Sequence, residues 1–290
     1  MSYNSIDKII KKCDKQSISF AEAVILDDMY ERKVSRDDTI TQMGVMWDAM
    51  VNANATYNRK QFSKSGLVGS LGGIMEDYIG SDKSYCGPFV NDVMARALKM
   101  GESNACMKRI VAAPTAGACG VLPAVLTACY DHGQADREQI IDALFVAAGI
   151  GQIIAARAFI AGASGGCQAE IGAASAMAAG ALVSLRGGTP TQIASAAAIA
   201  LKNLLGLVCD PVGGLVEIPC VKRNVIGSVN ALSAADMSLA GIISMIPFDQ
   251  VVDAMREVGE NMDVRFRETG LGGLAATPTA AEICKNLKTK

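Results

Sequence analysis

The sequence predicts an all-α fold, with Ala- and Gly-rich central helices joined by Gly- and Pro-rich bends. Three observations predict it. No stretch sustains the period-two alternation of a half-buried strand, and no turn pair between apolar runs flags a hairpin. Helix-start signatures recur, at Ser19-Phe-Ala-Glu22, Ser35-Arg-Asp-Asp38 and Thr189-Pro-Thr-Gln192. Long Ala, Gly and aliphatic runs fill the middle of the chain, at lengths that suit helices packed close together.

In chain order, Ser19–Glu22 is a capping box, and the apolar stripe behind it predicts a helix to about Glu31. Ser35–Asp38 opens a second helix with acidic residues in its first turn, running to about Ala55. The segment Ser63–Gly73 is a loop of small residues, followed by a helix around Pro88–Met100. Pro114 stands where a proline starts a helix, which then runs to about Cys129, with Tyr130–Gly133 as a turn. Helical patterns cover Asp136–Ala161 and Ala169–Ser184, and Thr189 caps a helix to about Val208. Further helices are expected near Asn224–Ile243, Phe248–Val258 and Pro278–Leu287, the last after the glycine cluster Gly270–Gly273.

Composition narrows the function classes. The chain has 290 residues, half of them hydrophobic and 19% charged, which suits a buried core and predicts one domain over residues 1–290. The helices within residues 1–60 are expected to pack on the remainder. A net charge of −2 gives no electrostatic basis for binding nucleic acid or an anionic membrane. Met1–Lys12 is polar, unlike a secretory signal, and the longest uncharged apolar run, Ala143–Ala156, is too short to span a bilayer. A cytoplasmic location is expected. Nine cysteines, an odd number in a large domain, argue against a disulfide framework. His132 is the one histidine, so no site in this chain is built on several of them.

Four stretches rich in glycine or small residues carry the candidate chemistry. Cys167 follows Ser164-Gly165-Gly166 and precedes a helical run, where the helix dipole favours thiolate and glycine amides are free to face an anion. Cys209 and Cys220 flank a loop that Pro211, Gly213, Gly214 and Pro219 keep out of a helix, and Lys222 and Arg223 make its end electropositive. The intervals of 42 and 11 residues are unlike the tight runs of ferredoxins or zinc fingers, so spacing alone leaves two readings open, metal ligands or small packed hydrophobes. Ser63-Lys64-Ser65-Gly66 reads either as a carboxylate-holding loop or as a flexible surface loop. In Pro114-Thr115-Ala-Gly-Ala-Cys119-Gly120, the expected helix start is an anion site with Thr115 in its first turn, and Cys119 reads as packing. His132, in a turn beside Asp131, reads as solvated.

Taken together, Ser63–Gly66, Ala113–Gly120, Ala163–Glu170 and Cys209–Asn224 resemble the catalytic part of the iron–sulfur L-serine dehydratases, above all the alpha subunit of their two-chain form. The resemblance covers nearly the whole chain. It implies a helical catalytic domain and a [4Fe–4S] cluster held by Cys167, Cys209 and Cys220. It further implies deamination of L-serine to pyruvate and ammonia without pyridoxal phosphate, an open iron acting as Lewis acid on the serine hydroxyl. Lys64 and Arg223 are then candidate contacts for the substrate carboxylate, with Ser164 and Gly165 lining the substrate site. Ser65 and Thr115 are candidates for polar contacts or proton handling. Cys284, six residues from the C-terminus, is a candidate fourth cluster ligand. The family's histidine-containing Ser-Ser-His-Thr motif, supplied by the beta subunit, has no match here, which implies that the chain needs that partner. The alternatives are another cluster-dependent hydro-lyase acting on a hydroxy acid and a non-enzymatic iron–sulfur or redox-sensing protein.

Overall fold

A computed structural model describes residues 3–288. Its regular elements among the described residues are helical, with two isolated bridges, Phe62 to Gly69 and Cys209 to Arg267, in place of any sheet. The all-α expectation holds. Residues 1, 2, 289 and 290, part of the expected domain range, lie outside the described residues.

The N-terminal helices are α1 (Ile6–Gln16), α2 (Phe20–Arg32) and α3 (Arg36–Ala55). Helix α1 falls in a segment that reads as merely polar, yet Ile6, Ile9 and Cys13, spaced three and four apart, give it one buried stripe. Ser19 caps α2 by accepting from the Glu22 amide, but the Glu22 carboxylate pairs with Arg36 instead of closing the box. Ser35 and Asp38 do form a reciprocal capping box on α3.

Helices α4 (Leu71–Asp77), α5 (Pro88–Ala105), α6 (Val121–Asp131) and α7 (Arg137–Arg157) follow. Two expectations are corrected here. The small-residue segment ends in helix α4, because Glu102 accepts from the free amides of Leu71 and Gly72 and so supplies the cap that the segment lacks. Pro114 does not start a helix. It sits in a bend that leads to the extended residue Thr115, a single 3-10 turn covers Ala116–Ala118, and α6 begins at Val121. Helix α7 is long and apolar enough to cross a membrane, longer than the apolar run inside it suggests, but it is a core helix: most residues from Ile140 to Ile154, including Ile140, Leu144, Ile150 and Ile154, are buried under α2 and α9.

At the centre lies α9 (Ala173–Leu185), buried from Ala173 through Val183. It is surrounded by α6, α7, α10 (Pro190–Lys202) and α11 (Cys220–Leu239). Small residues permit this: a methyl at Gly180 would collide with the Ile150 side chain of α7. The predicted helix over Ala169–Ser184 begins with a wide π turn, Gln168–Gly172, before α9. Thr189, Pro190 and Gln192 form the expected capping box on α10, which stops at Lys202 rather than Val208. Helix α11 starts at Cys220, four residues before the expected Asn224. Helices α12 (Phe248–Asn261) and α13 (Pro278–Lys288) complete the chain, and α7 ends at Arg157, short of Ala161.

Candidate metal centre

Four chain segments meet beside the N-terminal end of α9. The first is the turn Gly162–Glu170. Its glycine amides do not face outward: Ser164 and Gly165 donate to the Ala161 carbonyl, and Gly166 donates to Gly162. Gln168, fully buried, fixes the turn. Its Nε2 donates to the carbonyls of Gly165 and Met255, and its Oε1 accepts from Gly206. These bonds clamp Cys167 between α12 and the loop that leads to Cys209.

The second segment is the bend from Cys209 to Cys220. Cys209 pairs through its backbone with the third, residues 266–268: its amide donates to Phe266 and its carbonyl accepts from Glu268. Arg267, in that bridge, keeps a buried Nε with no hydrogen-bond partner. The fourth segment is the stretch around Thr115–Gly120. Asn224, 1% exposed, ties it to α11 by accepting from the Gly120 amide at 2.8 Å and donating to the carbonyls of Gly117 and Cys220.

Where these segments meet, one ligand atom each from Cys167, Glu170 and Cys209 lies within 4.8 Å of the others. Both cysteines are 3% exposed. A Cβ at Gly162 would stand 2.8 Å from Cys209 Sγ and 2.8 Å from Glu170 Oε2, so only glycine leaves the space between them open. Thr115 Oγ1 donates to Glu170 Oε1 at 2.6 Å. The contact with the Cys209 thiol, helped by the charge of Arg223, holds the Cys167 thiol below its ordinary range against the opposing effect of burial. Cys209, sharing that contact and buried, is driven the other way. Burial pushes the Glu170 carboxyl up. Cys220 is buried and close enough to feel the charge of Cys167, and burial pushes its thiol up to about 12. The arrangement is a buried, sulfur-rich donor set with a carboxylate, suited to a soft or borderline metal centre.

The profile of the serine dehydratase alpha chain family matches residues 15–275. The chain belongs to the serine dehydratase alpha-chain family. It is 45% identical over 285 residues to the probable L-serine dehydratase alpha chain of Bacillus subtilis, covering 98% of this chain and 95% of that one. It is 43% identical to the L-serine dehydratase alpha chain of Peptoniphilus asaccharolyticus, over 97% and 96% of the two chains. The probable L-serine dehydratase alpha chain of Latilactobacillus sakei is 56% identical over 66% of this chain and 92% of its own length. In this member of the serine dehydratase alpha-chain family, three of the stretches that carry the resemblance, Ala113–Gly120, Ala163–Glu170 and Cys209–Asn224, meet beside Cys167, and Ser63–Gly66 joins them through the Cys209–Cys220 bend.

The candidate residues distribute unevenly. The Ser63–Gly66 loop is pinned: Glu217, 7% exposed, accepts from Ser63 Oγ at 2.9 Å and Ser65 Oγ at 2.6 Å through one oxygen. That docks the loop on the Cys209–Cys220 bend. Lys64, between the two serines, is exposed and makes no hydrogen bond or ion pair with the described residues. Arg223 is committed, donating to the Val208 carbonyl at 2.7 Å and to Asp210 Oδ1 at 2.8 Å. Ser164 is exposed, whereas Gly165 is buried against Phe159. Cys284, half-buried on α13, lies against the 3-10 turn Val212–Gly214, where a Cβ at Gly213 would come 3.7 Å from its Sγ. It is not one of the three converging donors. His132 caps the end of α6, its Nε2 3.0 Å from Asp92 Oδ2 and its ring edge-on to Phe89, so it is held rather than simply solvated.

Sequence reasoning missed Glu170, Asp210, Glu217 and Asn224. Glu170 did have a local signal: it stands three residues after Cys167, one turn along the same face. The others did not, because their partners are far away in sequence.

Proposed function

We propose that this chain is the alpha subunit of an L-serine dehydratase, which converts L-serine to pyruvate and ammonia with a [4Fe–4S] cluster held by Cys167, Cys209 and Cys220. The convergence of Cys167 and Cys209, in a chain of this family, carries the reading. The donor set fits such a group. Thiolates are the ligands of iron–sulfur clusters, Arg223 favours the anionic form of Cys167, and Gly162 leaves open the space that a methyl would fill beside Cys209.

When bound, the cluster supplies an iron without a cysteine ligand, a Lewis acid for the serine hydroxyl. The chain's own residues do the rest of the positioning. Lys64, held out between two pinned serines, offers an ammonium to the substrate carboxylate. Ser164 and Gly165 line the substrate side of the Cys167 turn. Arg223, tied to Asp210, acts chiefly on Cys167 and reaches a carboxylate only from that fixed position. Ser65 and Thr115 act through the carboxylates they bond, Glu217 and Glu170. Loss of the Cα proton and of the hydroxyl gives aminoacrylate and water. Tautomerisation to the imine and hydrolysis then give pyruvate and ammonia. Cys284, on α13 against the Val212–Gly214 turn, is the other candidate for the fourth ligand.

The partners in this reading are L-serine and a separate beta subunit, and neither nucleic acid nor a membrane. The molecule is a single catalytic domain in the cytoplasm, where nine free thiols suit a reducing compartment. Substrate profiling of the two subunits purified together without oxygen tests the reading. Pyruvate and ammonia released in equal amounts from L-serine, and not from D-serine, support it. Turnover of a hydroxy acid with no release from L-serine overturns it.

A further inference from the structure

Glu170 presents an unmet demand. Its two oxygens are tightly confined: a Cβ at Gly117 would come 3.1 Å from Oε1, and one at Gly162 would come 2.8 Å from Oε2. Oε1 accepts from Thr115. Among the described residues no lysine or arginine pairs with Glu170, and the cation that serves this site, Arg223, is paired with Asp210. A half-buried carboxylate without a positive partner is costly. What the carboxylate has instead is the pair of thiols, one of its oxygens lying within 4.8 Å of both, and Oε2 and Cys209 Sγ border the same gap at Gly162.

We propose that Glu170 is a fourth protein donor to the metal group, supplying Oε2 to the iron that the three cysteines leave open. The inference rests on the cluster reading above. The geometry favours Glu170 over Cys284 for this place, since Glu170 is already gathered with Cys167 and Cys209 and Cys284 lies across the bend. The Thr115 bond is what such a donor needs: a ligating carboxylate is oriented by a hydrogen bond to its other oxygen. A hard oxygen donor among soft thiolates also makes one iron unlike the others, more weakly held and open to exchange by an incoming ligand.

The test uses the full chain, co-purified with its beta subunit without oxygen, and follows the loss of iron to an external chelator together with the EPR spectrum after mild oxidation. Glu170→Gln is expected to lose one iron per cluster about tenfold faster or more, the scale on which metal affinity answers to ligand and outer-shell changes. The three-iron EPR signal should appear correspondingly early. Glu170→Asp and Thr115→Val should fall between Glu170→Gln and the wild type, whereas iron loss from Cys284→Ser as fast as from Glu170→Gln would give the place to Cys284 and overturn the proposal. If Glu170→Gln does not fold, judged by circular dichroism, the Thr115→Val and Glu170→Asp chains decide. Iron loss in Glu170→Gln equal to wild type overturns the proposal, and if the KM for serine rises meanwhile, Glu170 belongs to the substrate ammonium instead. A wild-type chain that never takes up iron overturns the cluster reading itself, which separates the two failures.

Discussion

Arg223 Nη2 donates to Asp210 Oδ1 at 2.8 Å, and this pair joins the first turn of α11 to the residue after Cys209. Asp210 is 3% exposed, and its other oxygen accepts from the Leu274 amide. One ion pair therefore fixes the ends of the Cys209–Cys220 bend and the segment before α13. Because removing one partner leaves a buried charge unpaired, Asp210→Ala should destabilise the chain by about 3–5 kcal/mol. Urea unfolding of wild type, Asp210→Ala, Arg223→Ala and the double variant measures it. The double variant should be far less destabilised than the sum of the singles.

The docking of the Ser63–Gly66 loop on the Cys209–Cys220 bend depends on a single carboxylate oxygen. Glu217→Gln loses the charge that both serine hydroxyls share, at a cost of about 1–3 kcal/mol. The loop should then open, and trypsin should cut after Lys64 faster than in wild type, as followed by mass spectrometry. In the assembled enzyme the KM for serine should rise more than kcat falls. Unchanged cleavage at Lys64 would remove Glu217 as the anchor.

Gly162 is required by space rather than by backbone conformation, since it opens the short helical turn Gly162–Gly165. Gly162→Ala should retain its helical circular dichroism, lose about 1–3 kcal/mol of stability through overpacking, and bind less iron because its methyl occupies the gap between Cys209 and Glu170. Full iron content in Gly162→Ala would show that the gap is not where the metal sits.

The buried cysteines separate into two kinds. Cys119 is 1% exposed, its thiol points to the Met100 carbonyl at 3.7 Å, and burial raises it to about 12. Cys119→Ala should reduce stability by about 1–2 kcal/mol, the scale of a small cavity, and leave iron untouched. Cys220→Ala should lose the iron. Iron assays on the two variants side by side check the distinction.

Much of the fold was legible because its signals are local. Ser35 with Asp38, and Thr189 with Pro190 and Gln192, mark helix starts by bonds made within three residues. Pro114 misled for the same reason: a proline is favoured both at a helix start and in bends, and here it lies in a bend before the Ala116–Ala118 turn, which Asn224, more than a hundred residues away, ties to α11. Helix α4 was hidden because its cap, Glu102, comes from another helix. At the site, the glycine-rich bends exposed the cysteines, but Glu217 could not be matched to Ser63 and Ser65 across more than 150 residues. Arg223 looked like a free cation because Asp210, thirteen residues earlier, gives no sign in sequence of turning back toward it.

A catalytic [4Fe–4S] cluster held by Cys167, Cys209 and Cys220 is the proposal on which the others depend. The most direct measurement is iron and sulfide analysis of the subunits purified together without oxygen, with L-serine turnover recorded on the same samples. The wild type should hold about four irons and four sulfides per chain, and each of Cys167→Ala, Cys209→Ala and Cys220→Ala should lose both the metal and pyruvate formation. Any of these variants retaining full iron and full turnover would contradict it.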